Sequence, residues 1–170
     1  ASDVEKGQPL GASTPAAAAA TDVSSTGASN VVVGQTTAQQ TVEFDMSVSD
    51  NSTGTVTVTP ANAATVTGFS SVSATGQSGN FSLVGSSSSG DSLDINVEDT
   101  GGNDTGTATL SLTITYDTTG ASSGGSAAVE LTNGSATTLG NISSPTFVEP
   151  VVDSGNAADI TAVSGESQTI

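Results

Sequence analysis

From Val31 onward, apolar and polar residues alternate with a period of two. Val42, Phe44, Met46 and Val48 are separated by Glu43, Asp45 and Ser47, the pattern of a strand with one buried face. The run 50–54 (Asp-Asn-Ser-Thr-Gly) closes that strand as a turn. Val56 and Val58 then alternate with Thr55, Thr57 and Thr59, and Pro60 ends the segment. Val66, Phe69 and Val72, followed by Phe81 and Leu83, mark shorter apolar stretches between Gly and Ser loops. Leu93, Ile95 and Val97 alternate with Asp94, Asn96 and Glu98. The longest strand predicted is 107–116, with Ala108, Leu110, Leu112, Ile114 and Tyr116 on one side, and Ala127, Val129 and Leu131 repeat the pattern.

This spacing predicts about eight or nine short strands separated by turns, with no convincing helical period. The fold class expected is all-β: a single antiparallel β-sandwich, jelly-roll or immunoglobulin-like. It carries a flexible N-terminal leader and an extended C-terminal tail. Three regions follow: a leader or docking segment over 1–29, rich in Ala, Ser and Thr; the sandwich over 30–152; and a tail over 153–170. The five-residue Ala run 16–20 is too short to sustain a helix. Near the other end, Phe147, Val148, Glu149, Pro150, Val151 and Val152 read as a last strand that Pro150 confines to an edge. Residues 156–163, with Ile160, are compatible with either a short helix or an extended segment.

Charge changes this picture most. The chain has 170 residues, 17 Asp and Glu, one Lys and no Arg, His or Cys, for a net charge of −16. The single cation, Lys6, lies in the leader, so the sandwich has no side-chain cation to pair with its carboxylates. Each carboxylate must be solvated, screened by salt, hydrogen-bonded or bound to a metal. Self-repulsion on this scale is relieved at molar salt, where the Debye length falls to about 3 Å. A salt-adapted source, a halophilic prokaryote, is the expectation. So acidic a chain is not expected to bind nucleic acid or an anionic membrane, and no apolar run suits membrane insertion. Zero Cys excludes disulfides and thiolate chemistry, and zero His removes the usual general base and zinc ligand. A first residue other than Met fits a secreted chain after signal-peptide removal.

The strand order from Val31 to about Val152 resembles the cohesin-like β-sandwich, a nine-stranded extracellular jelly roll. The residues that carry the likeness are the first long strand 41–49, Val56 to Pro60 entering a loop, 93–97, 106–114, and 127–131 closing the pattern. Immunoglobulin-like surface domains are similar in the same respects. The resemblance implies a protein–protein module on a cell surface, without catalysis. Cohesins pair with calcium-loaded dockerins. The segment 153–160 is similar to a dockerin loop, but Gly155 and Ala157 stand where ligands belong, and it is not read as a calcium site.

Three sets of residues are candidates for function. Five Asn-x-Ser/Thr sequons occur, at Asn51, Asn80, Asn103, Asn133 and Asn141, all placed in loops or turns by the strand reading. Chance alone gives about three in a chain with this much Ser and Thr. The segment 98–104 gathers Glu98, Asp99, Asn103 and Asp104 around two Gly, hard oxygen ligands that suit Ca²⁺ as a possible cofactor. Val31, Val32 and Val33 at one end and Phe147, Val148, Val151, Val152 and Ile160 at the other are candidate assembly segments, able to add a strand to a neighbour's sheet. The Thr-x-Thr stripes at 55–59, 107–109 and 113–115 read as ordinary β-propensity rather than an ice-binding face, for want of a regular repeat.

No catalytic residues are assigned, and the chain is read as a non-enzyme. The function expected is a secreted structural subunit of a filament, pilus or surface layer, a polymer of itself joined by strand donation or edge pairing. The alternatives are an adhesion or protein-binding module of the cohesin-like type, and a virion decoration or spike protein.

Overall fold

The segments with the clearest alternation become the central strands of two facing sheets. The computed structural model describes residues 22–62 and 65–151. Its strands are β1 (Asp22–Ala28), β2 (Val31–Val32), β3 (Ala38–Val48), β4 (Ser52–Pro60), β5 (Val66–Ser78), β6 (Phe81–Ser89), β7 (Ser92–Asp99), β8 (Gly106–Tyr116), β9 (Val129–Asn133), β10 (Thr138–Ile142) and β11 (Phe147–Val148). One sheet has the order β1-β3-β8-β5 and the other β10-β9-β4-β7-β6; β2 and β11 form a separate two-stranded ribbon. Both large sheets are antiparallel throughout, and the described residues contain no α-helix. The protein is an all-β sandwich.

The core follows from the period of two. Val42, Phe44, Met46 and Val48 on β3 and Ala108, Leu110, Leu112, Ile114 and Tyr116 on β8 are buried, as are Val56, Val58, Leu93, Ile95, Val97, Val129 and Leu131 from the opposite sheet. Polar residues between them face outward. The inward face of β3 also carries Gln40, fully buried in a row of apolar neighbours. Its amide is satisfied on both sides: Tyr116 Oη donates to Gln40 Oε1 at 2.6 Å, and Gln40 Nε2 donates to the carbonyls of Ala127 (2.8 Å) and Ser29 (3.1 Å). Burial pushes the Tyr116 phenol well above its ordinary pKa, so it stays a donor. Tyr116→Phe leaves Gln40 Oε1 without that donor, and the expected loss is about 1–3 kcal/mol of unfolding free energy. A urea titration with an unchanged slope measures it.

The chain crosses between the sheets at both ends. Connections 49–51, 79–80 and 100–105 lie at one end, the tip; connections 33–37 and 117–128 and the β6–β7 turn lie at the other, the base. At the tip, Gly79 adopts φ +61°, and a Cβ there would stand 3.0 Å from Gly106 Cα, so this crossing requires Gly on both counts.

Two strands appear where none was expected. β1 lies inside the region read as a flexible leader, and its pairing with β3 places Asp22–Ala28 in the folded body. β10 pairs with β9 through a hairpin. Both are edge strands that turn few apolar residues inward, so alternation does not reveal them. β5 and β6, read as short apolar stretches between loops, run for 13 and 9 residues respectively. The tail 153–170, together with Val152, lies outside the described residues.

Irregularity in the ladders is confined to the sheet edges. β1, β5, β6 and β10 each carry at least one register shift against their neighbour, whereas the central pairs β3–β8, β4–β7 and β4–β9 carry none. Bulged edges twist away from a flat template and discourage pairing with another chain.

Candidate functional site

The two described assembly segments pair with each other within one chain. β2 and β11 run parallel, with Phe147 opposite Val31 and Val148 opposite Val32. Val31 N–H donates to the Thr146 carbonyl at 3.1 Å, and Val33 N–H to the Val148 carbonyl at 3.0 Å. Val31, Val33 and Phe147 are buried, Val32 and Val148 half-buried. These five candidate assembly residues are therefore paired within the chain and do not form a free edge. Val151, at the end of the described chain, is 94% exposed; Val152 and Ile160 lie outside the described residues.

The ribbon also fixes where the chain enters and leaves. Asp22 pairs with Ser47 at the tip, and β1 runs from there toward the base. β2 continues in that direction into the 33–37 connection, and β11, parallel to it, exits toward the base. The described body thus begins at the tip, with Asp22, and its last strand, β11, runs toward the base.

The sequons divide between loops and strands. Asn51, Asn80 and Asn103 are exposed and occupy the three tip connections. Asn133 ends β9, where its Oδ1 accepts the N–H groups of Ser135 (3.0 Å) and Thr137 (2.9 Å) and organises the β9–β10 hairpin. Asn141 lies within β10 opposite Glu130, exposed but on a strand rather than in a loop. Four of the five thus stand at or toward the tip.

The acidic segment is not one loop. Glu98 and Asp99 are the last residues of β7, and consecutive strand residues face opposite sides. Glu98 lies on the outer face, in a groove of about 380 Å³ lined also by Thr53, Thr55, Val84, Asn96 and Asn133. Asp99 points inward and is 2% exposed. Asn103 and Asp104 are exposed in the 100–105 connection. No three Asp or Glu side chains converge among the described residues. The four residues grouped by sequence proximity do not form one ligand set, because Glu98 faces away from the rest.

In place of salt bridges, outer-face carboxylates accept bonds from threonine. Thr57 Oγ1 donates to Asp94 Oδ1 (2.7 Å) and Thr109 Oγ1 to Asp45 Oδ1 (2.6 Å), in each case between directly opposed residues of neighbouring strands. Thr138 Oγ1 donates to Glu130 Oε1 at 3.0 Å. Asp117 accepts from both the hydroxyl and the N–H of Thr119, and the hydroxyl bond first, then the backbone bond, hold its carboxyl below the ordinary aspartate pKa. The threonine stripes thus serve as neutral donors to carboxylates as well as β-formers.

No family model, curated protein or solved structure matches this chain. The functional reading rests on the strands and side chains above.

Proposed function

We propose that this chain is a secreted, non-enzymatic structural subunit of a cell-surface assembly (a filament, pilus or surface layer) built from copies of itself. The observation that carries the reading is that the described body begins at the tip, with Asp22, while its last strand, β11, runs toward the base. A chain that enters at the tip and leaves at the base can contact one neighbour at each end of the sandwich. Such head-to-tail contacts are heterologous and propagate instead of closing. Bulges on all four sheet edges favour donation of a terminal segment over lateral edge pairing. With Val31–Val33 and Phe147–Val148 paired internally, the donor falls to the flanking segments 1–21 or 152–170, the latter with Ile160 and Val163. In a sandwich without side-chain cations, main-chain pairing and apolar burial are the contacts left to join acidic subunits.

Electron microscopy in molar salt tests this. The full chain is expected to form polymers, and removal of either 1–21 or 152–170 is expected to leave folded monomers. Polymers from both truncations would eliminate strand donation. A full chain that stays monodisperse at high concentration would favour the adhesion-module reading instead.

A further inference from the structure

At the tip, one carboxylate oxygen of Asp99 and one of the half-buried Asp50 are buried without a hydrogen-bond partner among the described residues. Asp99 follows Leu93, Ile95 and Val97 on the inward face of β7 and is 2% exposed. Its Oδ1 accepts the Gly101 N–H at 3.1 Å, but Oδ2 is buried and has no hydrogen-bond partner among the described residues. Asp50 Oδ1, in the β3–β4 turn, is buried and unpartnered in the same way. The two belong to adjoining segments: Asp99 is opposite Ser52 in the β4–β7 ladder, and Ser52 Oγ donates to the Asp50 carbonyl at 3.1 Å. An ionised carboxylate taken out of water needs a counter-charge or donors, and no side chain between residues 22 and 151 carries a positive charge.

We propose that the tip binds one Ca²⁺, with the carboxylates of Asp50 and Asp99 as its charged ligands. Two carboxylates balance a divalent cation. Glycine at 106 lets Asp99 Oδ2 approach the backbone, with Phe81 Cβ packed beside it. A Cβ on Gly106 would stand 2.5 Å from Asp99 Oδ2, and one on Gly101 would stand 3.2 Å from Asn51 Oδ1, so the amide oxygen of Asn51 lies beside the Asp99–Gly101 turn as a further neutral donor. Oxygens from a strand end and from two successive residues of a turn make an irregular set. Ca²⁺ accepts such sets, whereas Mg²⁺ demands near-octahedral geometry and keeps its waters. With only two carboxylates, the affinity falls in the range of extracellular modules, a dissociation constant on the order of 10⁻⁴–10⁻³ M. Glu98 is not a ligand. The site does not depend on whether the chain polymerises.

The test is the thermal midpoint of the full chain at constant high NaCl, where general screening is already saturated. Calcium at about 10 mM is expected to raise the midpoint by roughly 5 °C, and Mg²⁺ at the same concentration by less than about 1 °C. Asp99→Asn and Asp50→Asn are each expected to lose the calcium shift, while Glu98→Gln keeps it. Equal responses to the two cations, or a full calcium shift in Asp99→Asn, would overturn the site. Should both Asn variants fail to fold, calorimetric titration of the unaltered protein decides: absence of calcium-specific heat overturns it equally.

Discussion

Phe147→Ala is expected to lower the unfolding free energy by about 3–5 kcal/mol, the usual cost of emptying an aromatic site in a core. Phe147 is 1% exposed, and its ring meets Tyr116 edge to face with centroids 6.0 Å apart. Its backbone is equally committed. The N–H donates to the Gly125 carbonyl (2.9 Å), and its carbonyl accepts from Gly124 (2.8 Å), so one residue joins β11, β2 and the β8–β9 connection. The change would leave a void beside the Tyr116–Gln40 pair and loosen β11, which ties the end of the described chain to β2. Val151→Ala, at a position 94% exposed, is the matched control and should change stability by no more than about 0.5 kcal/mol. Urea midpoints at constant slope report both. If the two substitutions cost the same, the ribbon is not part of the folded unit, and Phe147 and Val148 return as candidate donors.

That experiment bears on where sequence reading succeeds and fails in this protein. β3, β4, β7, β8 and β9 are legible because their inward residues are apolar and their outward ones polar. β1 has one large apolar residue, Val23, and β5 spreads Val66, Phe69, Val72 and Ala74 among Gly, Ser and Thr, so neither shows its length. The β2–β11 ribbon is invisible for a different reason. It pairs residues 116 positions apart in strands of two residues, too short to carry a period. Apolar content at 31–33 and 147–148 signals burial, but not whether the partner is the same chain. Gln40 breaks the inward row of β3 and becomes intelligible only beside Tyr116. The acidic tip was partly readable: carrying the Leu93, Ile95, Val97 alternation one step further puts Asp99 on the buried face and Glu98 outside. Treating 98–104 as a single loop discards that phase. Asp50 gives no such signal, since a turn residue has no period to extend.

Moving the protein from about 1 M NaCl to about 0.01 M is expected to lower its unfolding free energy by something on the order of 3 kcal/mol. The Debye length rises from about 3 Å to about 30 Å over that range. Twelve carboxylates lie between residues 22 and 151, with no side-chain cation among them. At a typical separation of ~20 Å, each pair repels by roughly 0.2 kcal/mol in water before screening. Summed over all pairs, reduced by residual screening and by the repulsion that survives in the expanded unfolded chain, a few kcal/mol remain. The threonine–carboxylate bonds do not offset this, because they satisfy the oxygens without cancelling the charge. The expected observation is a thermal midpoint that climbs steadily with NaCl and saturates only toward molar salt, with KCl behaving alike. A midpoint independent of salt would mean that something other than mobile ions balances the carboxylates. Molar salt also removes the barrier between subunits of like charge. Polymerisation by terminal segments is therefore expected to follow the same salt dependence as stability. Polymers that formed equally well in dilute buffer would require a contact other than main-chain pairing and apolar burial.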